Sequence, residues 1–258
     1  MNYQIFASQP LPILESLQSE CVDLIIADLS SWKSKQANKE FPSLWKECKR
    51  ILKKNHVCIL FSMQPVSSLL IANDYKWFKH NWVWVKNKKA GGLNAKSRPM
   101  IGHEDILIFS QGGASARSKN QMPYYPQGLQ HFAQYQQQKK RFSLNQATQI
   151  PDWKQVYSRP CGKYPDTVLC FECNNTQISV KPTTLMEFLA LSYTKPQETI
   201  LSFSMRGDSS GIAAIRNDRK FIGIKDTASE MKQMEDVLLK EQLQTELFKS
   251  QLVSSSLF

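Results

Sequence analysis

An α/β fold, with a largely parallel sheet covered by helices on both faces, is the architecture this sequence predicts. Three observations predict it. Short apolar runs of strand character alternate with segments of helical period from Tyr3 to Ser110. The alternation resumes at Thr183 and continues through Lys225. The strands themselves are near-continuous runs of Ile, Leu and Val, as in a sheet buried on both sides.

The elements follow in order. YQIF is a short strand, and PLPILESLQSE carries Leu11, Leu14 and Leu17 at helical spacing. VDLIIAD, residues 22–28, is a strand ending in an acid. FPSLWKECKRILKKN is an amphipathic helix, with Leu44, Trp45, Cys48, Ile51 and Leu52 on one side. HVCILFS is a buried strand, QPVSSLLIAN a helix, FKHNWVWVKN a strand with alternating Trp82 and Trp84, and EDILIFS another strand. Residues 111–163 are polar and predict loops plus one short helix around residues 128–141, an excursion of the functional or disordered kind. TTLMEFLALSY, TILSFS, SSGIAAIRND and KFIGIK then read as helix, strand, helix and strand. Residues 227–258 form a long C-terminal helical pattern with Met231, Met234, Leu238, Leu239, Leu243, Leu247 and Leu252 as its apolar positions. Packing on its own sheet is the plain account of that helix, and a partner helix is the alternative.

The chain has 258 residues, enough for one sizeable core and not clearly for two, so a single domain is expected over 1–258. Lys and Arg number 33 against 22 acids, a net charge of +11, which points to a polyanionic partner, most simply nucleic acid. A basic protein without such a partner is the plainer reading. No apolar run reaches the length of a membrane span. The start, MNYQIFASQP, lacks the basic flank and apolar core of a signal peptide, so a cytoplasmic setting with six reduced Cys is expected. Cys161, Cys170 and Cys173 lie close in sequence, but a structural zinc site needs four ligands in paired spacing, and no second pair stands nearby. Ordinary thiols and no metal are expected.

Five stretches in this order carry a resemblance: VDLIIADLSSW, WVWVKNKKAGGLNAKSRPMIGHEDILIF, the Lys181–Pro182 pair, TILSFSMRGDSSGIAAI and RKFIGIK. They resemble the DNA amino-methyltransferases of the circularly ordered class, whose target-recognition region lies mid-chain. Family members write these stretches as VDLIITDPPY, WIWDKN with GFLNAKKRP and HENIL, a Lys-Pro opening a helix, TVLDPFMGSGTTGVAA, and RKFIGIE. The resemblance runs from Tyr3 to about Lys240. It implies a Rossmann-like methyltransferase fold with a mostly parallel, seven-stranded-type sheet and residues 111–163 as the target-recognition insertion. The family's activity is methylation of the exocyclic amine of adenine or cytosine with S-adenosylmethionine.

The chemistry the family places in these motifs is altered here. In Asp-Pro-Pro-Tyr, the acid and a proline carbonyl accept from the target amine, and the aromatic ring stacks on the flipped base. Asp28 keeps the acid, Leu29 and Ser30 replace the prolines, Ser31 takes the aromatic position and Trp32 comes one residue late. These read as vestiges rather than an intact catalytic set; a site rescued by Trp32 is the alternative. On the cofactor side, the family's Gly-Asp after the first strand is Ala7–Ser8, and its DPFMGSG turn becomes Ser202, Phe203, Ser204, Met205, Arg206, Gly207 and Asp208. Met205, Gly211, Lys181 and Pro182 persist. The ribose-binding acid is replaced by Lys225, and strand alternation turns Asp226 to the other face. Tight binding of S-adenosylmethionine is therefore not expected unless the site is remodelled.

What remains resembles the family's DNA-facing loop: Lys86, Lys88, Lys89, Lys96 and Arg98, basic residues suited to phosphate contact. Lys139, Lys140 and Arg141 are a weaker second group. The expected function is a catalytically degenerate DNA methyltransferase homologue, a non-catalytic DNA-binding or regulatory subunit. Its partner would be an active methyltransferase or a second copy of itself. The alternatives are an active enzyme with a remodelled site and a stand-alone DNA-binding protein.

Overall fold

Central strands buried on both faces organise the molecule, which a computed structural model describes over residues 2–139, 156–162, 164–173 and 180–255. The strands are β1 (Tyr3–Ala7), β2 (Val22–Asp28), β3 (Leu52–Ser62), β4 (Phe78–Ala90), β5 (Ile101–Ser110), β6 (Gln130–Lys139), β7 (Val156–Gly162), β8 (Val168–Cys170), β9 (Thr199–Phe203) and β10 (Lys220–Lys225). The helices are α1 (Pro10–Ser16), α2 (Ser34–Ile51), α3 (Val66–Asn73), α4 (Thr183–Tyr193), α5 (Ser209–Arg216) and α6 (Ala228–Ser255). The chain divides into two units, Met1–Tyr125 with Thr167–Phe258, and Pro126–Asp166.

The first unit holds one sheet of eight strands in the order β1-β10-β9-β2-β3-β5-β4-β8. β5 runs antiparallel to β3 and β4, while the remaining neighbours pair in parallel. Alternation along β2 sends Leu24 and Ile26 to the layer that contains α4, α5 and Met234 and Leu238 of α6. Ile25 and Ala27 go to the opposite layer of α1, α2 and α3. Asp28 shares the parity of Leu24 and Ile26, so it faces the α4 side.

The predicted fold class holds, with differences of detail. The helix expected around residues 128–141 is instead β6, paired antiparallel with β7 in the second unit. That stretch has no apolar stripe at helical period, so pairing with a distant segment decides its state. The polar region also starts later than expected. Met122 is buried and the Tyr125 N–H donates to Ser192 O (2.7 Å), which ties residues up to Tyr125 to the first unit. α2 begins at Ser34, well before FPSLW, with Pro42 inside it; the proline hid the first turns. β8 was not expected. On α6, Met234 and Leu238 are buried, whereas Leu239, Leu243 and Leu247 are exposed.

Gly211, which the resemblance places among the cofactor positions, has a packing role in this fold. A Cβ there would stand 2.9 Å from both Leu238 Cδ2 and Met234 Cε, so the glycine lets α5 lie close on α6. Gly211→Val should cost about 1–3 kcal/mol by overpacking. A thermal melt that matches the parent would contradict that role.

Candidate functional site at the carboxyl edge of the sheet

The carboxyl ends of β2, β9 and β10 open into a cleft of about 1060 Å³, lined by Asp28, Trp32, Met205, Arg206, Asp208 and Lys225 among others. This is the edge where ligands bind in open α/β sheets.

Four charged side chains are buried together beside it. Lys181 Nζ donates to Asp28 Oδ2 (2.8 Å) and lies 2.9 Å from Glu104 Oε2. Lys86 Nζ donates to Glu104 Oε1. Lys181 is 1 % exposed and Glu104 2 %, so these are desolvated charges that must be paired. Alternation brings them together. Lys86 follows Trp82 and Trp84 at period two, Glu104 precedes Ile106 and Ile108, and Glu104 pairs in register with Trp84. Burial draws the Lys181 pKa down, but the Asp28 and Glu104 carboxylates outweigh it and hold the ammonium above the ordinary lysine range. Its Nζ also lies 5.1 Å from the Phe61 ring centroid. Pro182, in extended backbone, caps α4 and sets Lys181 just outside the helix.

Two contacts hold Asp28 in place. Its Oδ1 accepts the Ser30 backbone N–H (3.0 Å), and its Oδ2 accepts Lys181. Leu29, at a proline position, is buried in the α1–α3 layer and donates its N–H to Phe61 O (2.8 Å). The turn is thus pinned by burial and by Asp28 itself. Ser31 is exposed at the rim, and Trp32 packs partly against the same apolar layer while lining the cleft.

The cofactor positions are rebuilt around Lys225. This residue is 7 % exposed; its Nζ donates to Gly207 O (2.6 Å) and Met205 O (3.2 Å) and lies 3.6 Å from Asp208 Oδ1. It staples the turn between β9 and α5 from within. Gly207 has φ +72°, and a Cβ there would meet Val180 Cγ1 at 2.9 Å, so glycine is required. Ser204 also takes a left-handed φ of 56°. Ser202 is buried, its Oγ accepts the Ser210 hydroxyl (3.1 Å), and it does not line the cleft. The Ser8 N–H donates to Lys225 O (2.9 Å). Arg206 is exposed along the cleft. Asp226, expected on the opposite face, lines the same cleft, because β10 ends at Lys225 and strand alternation no longer governs it. An ammonium holding two carbonyls leaves no acceptor at residue 225 for ribose hydroxyls, and the nearest carboxylate in sequence that lines the cleft is Asp226.

The basic segment divides. Lys86 is withdrawn from the set of surface contacts, because its side chain is buried and paired with Glu104. Lys88, Lys89, Lys96 and Arg98 are exposed. They sit on the β4–β5 hairpin, which leaves the sheet at the edge that carries Asp28, since Phe61 pairs with both Asp28 and Ile106. Lys140 and Arg141 lie outside the described residues, as do the side chains of Lys139 and Cys161. Cys170 is exposed and Cys173 buried, both as free thiols. Asp23, His56 and Glu198 cluster at the opposite sheet edge, where Asp23 already accepts Lys53 (2.8 Å) and the Thr199 N–H (2.9 Å). Among the described residues no helix is long and apolar enough to cross a membrane. Glu104 is the residue that sequence reasoning missed; an acid two places before a buried Ile106 was the available signal.

The family model described as DNA methylase matches residues 22–236. No curated protein sequence matches the chain. Among solved structures, the M1.HpyAVI–SAM complex is similar at 18 % identity and TM-score 0.58, over 91 % of this chain and 98 % of that one. PvuII DNA methyltransferase (cytosine-N4-specific) is similar at 14 % identity and TM-score 0.59, over 94 % and 93 %. A putative DNA modification methylase of Thermus thermophilus, TTHA0409, complexed with S-adenosyl-L-methionine, gives 14 % and 0.58, over 93 % and 96 %. At these identities the structures speak for the fold alone. The family match spans most of the chain, from the strand that carries Asp28 to the helix that packs on Gly211: the chain belongs to the DNA methylase family.

Proposed function

We propose that this chain is a catalytically degenerate member of its family, a DNA-binding subunit that works beside an active methyltransferase. The observation that carries the reading is the state of Asp28. In the family the acid must accept from a target amine; here Ser30 stands at a proline position, and its backbone N–H, which a proline would lack, holds Asp28 Oδ1. The Lys225 staple supports the same reading on the cofactor side, and binding of S-adenosylmethionine by this chain alone is accordingly weak or absent. The four exposed basic residues of the β4–β5 hairpin supply the DNA contact, and the polar middle region, residues 111–163, supplies any base preference.

Incubation of the protein with labelled S-adenosylmethionine and mixed-sequence duplex DNA tests the inactivity directly. No label is expected in the DNA. Label that appears, and vanishes in Asp28→Ala, would establish the second reading, an active enzyme with a remodelled site. One observation favours that reading: Asp28 and Trp32 line the same open cleft.

A further inference from the structure

The tip of the β4–β5 hairpin is an ordered turn that displays one apolar side chain. Gly91 takes φ 84°, and residues 92–94 form a single 3-10 turn. The Asn94 and Ala95 N–H groups donate to Gly91 O (3.0 Å) and Gly92 O (3.1 Å); those of Ser97 and Arg98 donate to Asn94 O (2.9 and 3.0 Å). The backbone of the tip is therefore fixed by its own hydrogen bonds. Leu93, on that turn, is fully exposed. Met100 is exposed beside it, with its Cε 4.0 Å from where a Cβ on Gly92 would stand, so it backs the turn. Lys88, Lys89, Lys96 and Arg98 flank the tip on both sides in sequence, and all are exposed.

We infer that Leu93 is a wedge that enters a base step of duplex DNA while the flanking basic residues hold the phosphates. This rests on the DNA-binding reading above and adds to it the residue that deforms the duplex. Apolar side chains that unstack a base step act from basic surfaces of this kind, since unstacking requires the backbone to be gripped on either side. The charge of the hairpin matches a polyanion. A lone Leu with one Met offers too little apolar area to hold a lipid surface, which needs an extended amphipathic face. The position suits the site, because the hairpin leaves the sheet at the edge of the Asp28 cleft.

The test uses the full chain and duplex oligonucleotides carrying 2-aminopurine at successive positions. Binding by the parent should raise the fluorescence at one step. Leu93→Ala should abolish that rise and weaken binding about tenfold, while the salt dependence of binding stays as in the parent. Leu93→Met should restore the rise. Binding by the parent with no change in fluorescence, or a rise that persists in Leu93→Ala, overturns the wedge and leaves the DNA-binding reading standing. Failure of the parent to bind duplex DNA, or tighter binding to anionic lipid vesicles than to DNA, overturns both.

Discussion

Lys181→Met should destabilise the protein by about 3–5 kcal/mol, the usual cost of removing one partner from a buried ion pair. The side chain is 1 % exposed and holds two carboxylates, Asp28 at 2.8 Å and Glu104 at 2.9 Å. Glu104 keeps Lys86 in the variant, but Asp28 keeps only the Ser30 N–H. The melting midpoint should fall by roughly 6–20 °C for a chain of this size. Adding Asp28→Asn to Lys181→Met should recover part of the loss, since it removes the charge left without a partner. A single variant as stable as the parent would show that the network contributes nothing net. The pH dependence follows from the raised Lys181 pKa. A cation whose pKa rises on folding stabilises the folded state fully below its unfolded value, ordinarily about 10.4 for lysine. That contribution is lost only as pH rises through the higher folded value, so the network should persist across neutral pH and fail in strong base.

Replacing Lys88, Lys89 and Lys96 together with Ala should remove most electrostatic DNA binding. With these three and Arg98 on phosphates, log affinity should fall against log salt with a slope of roughly −4. The triple variant should flatten that slope by about 3. Lys86→Ala should not alter the slope in the same way, because that side chain is buried on Glu104; its effect should appear in the melting midpoint. A triple variant that keeps the parent slope would mean that the excess charge of +11 acts from elsewhere on the surface.

The sheet was legible because strands buried on both faces leave uninterrupted apolar runs. Asp28 was legible as the acid at the end of one such run. What escaped was the neighbourhood of that acid. The resemblance groups Lys86 with the loop charges, yet it lies within the strand, and the parity set by Trp82 and Trp84 carries it inward. Glu104 looked like the polar start of a strand, and only the register with Trp84 shows that it meets Lys86. Lys181 lies 153 residues from Asp28, and no local pattern could connect them. The Lys225 substitution was visible as a reversed charge, but its use as a staple on the Met205 and Gly207 carbonyls depends on the fold. The packing role of Gly211 escaped for a related reason: a glycine that lets two helices lie close looks the same in sequence as one kept for a ligand.

We propose that the cleft does not hold S-adenosylmethionine tightly, and calorimetric titration of the full chain with that compound decides the matter. No saturable heat is expected at low-micromolar ligand, because Lys225 Nζ is a donor at the position of the family's ribose-binding acid and Arg206 and Asp208 line the cleft. A dissociation constant in the low micromolar range, about −8 kcal/mol, would contradict it.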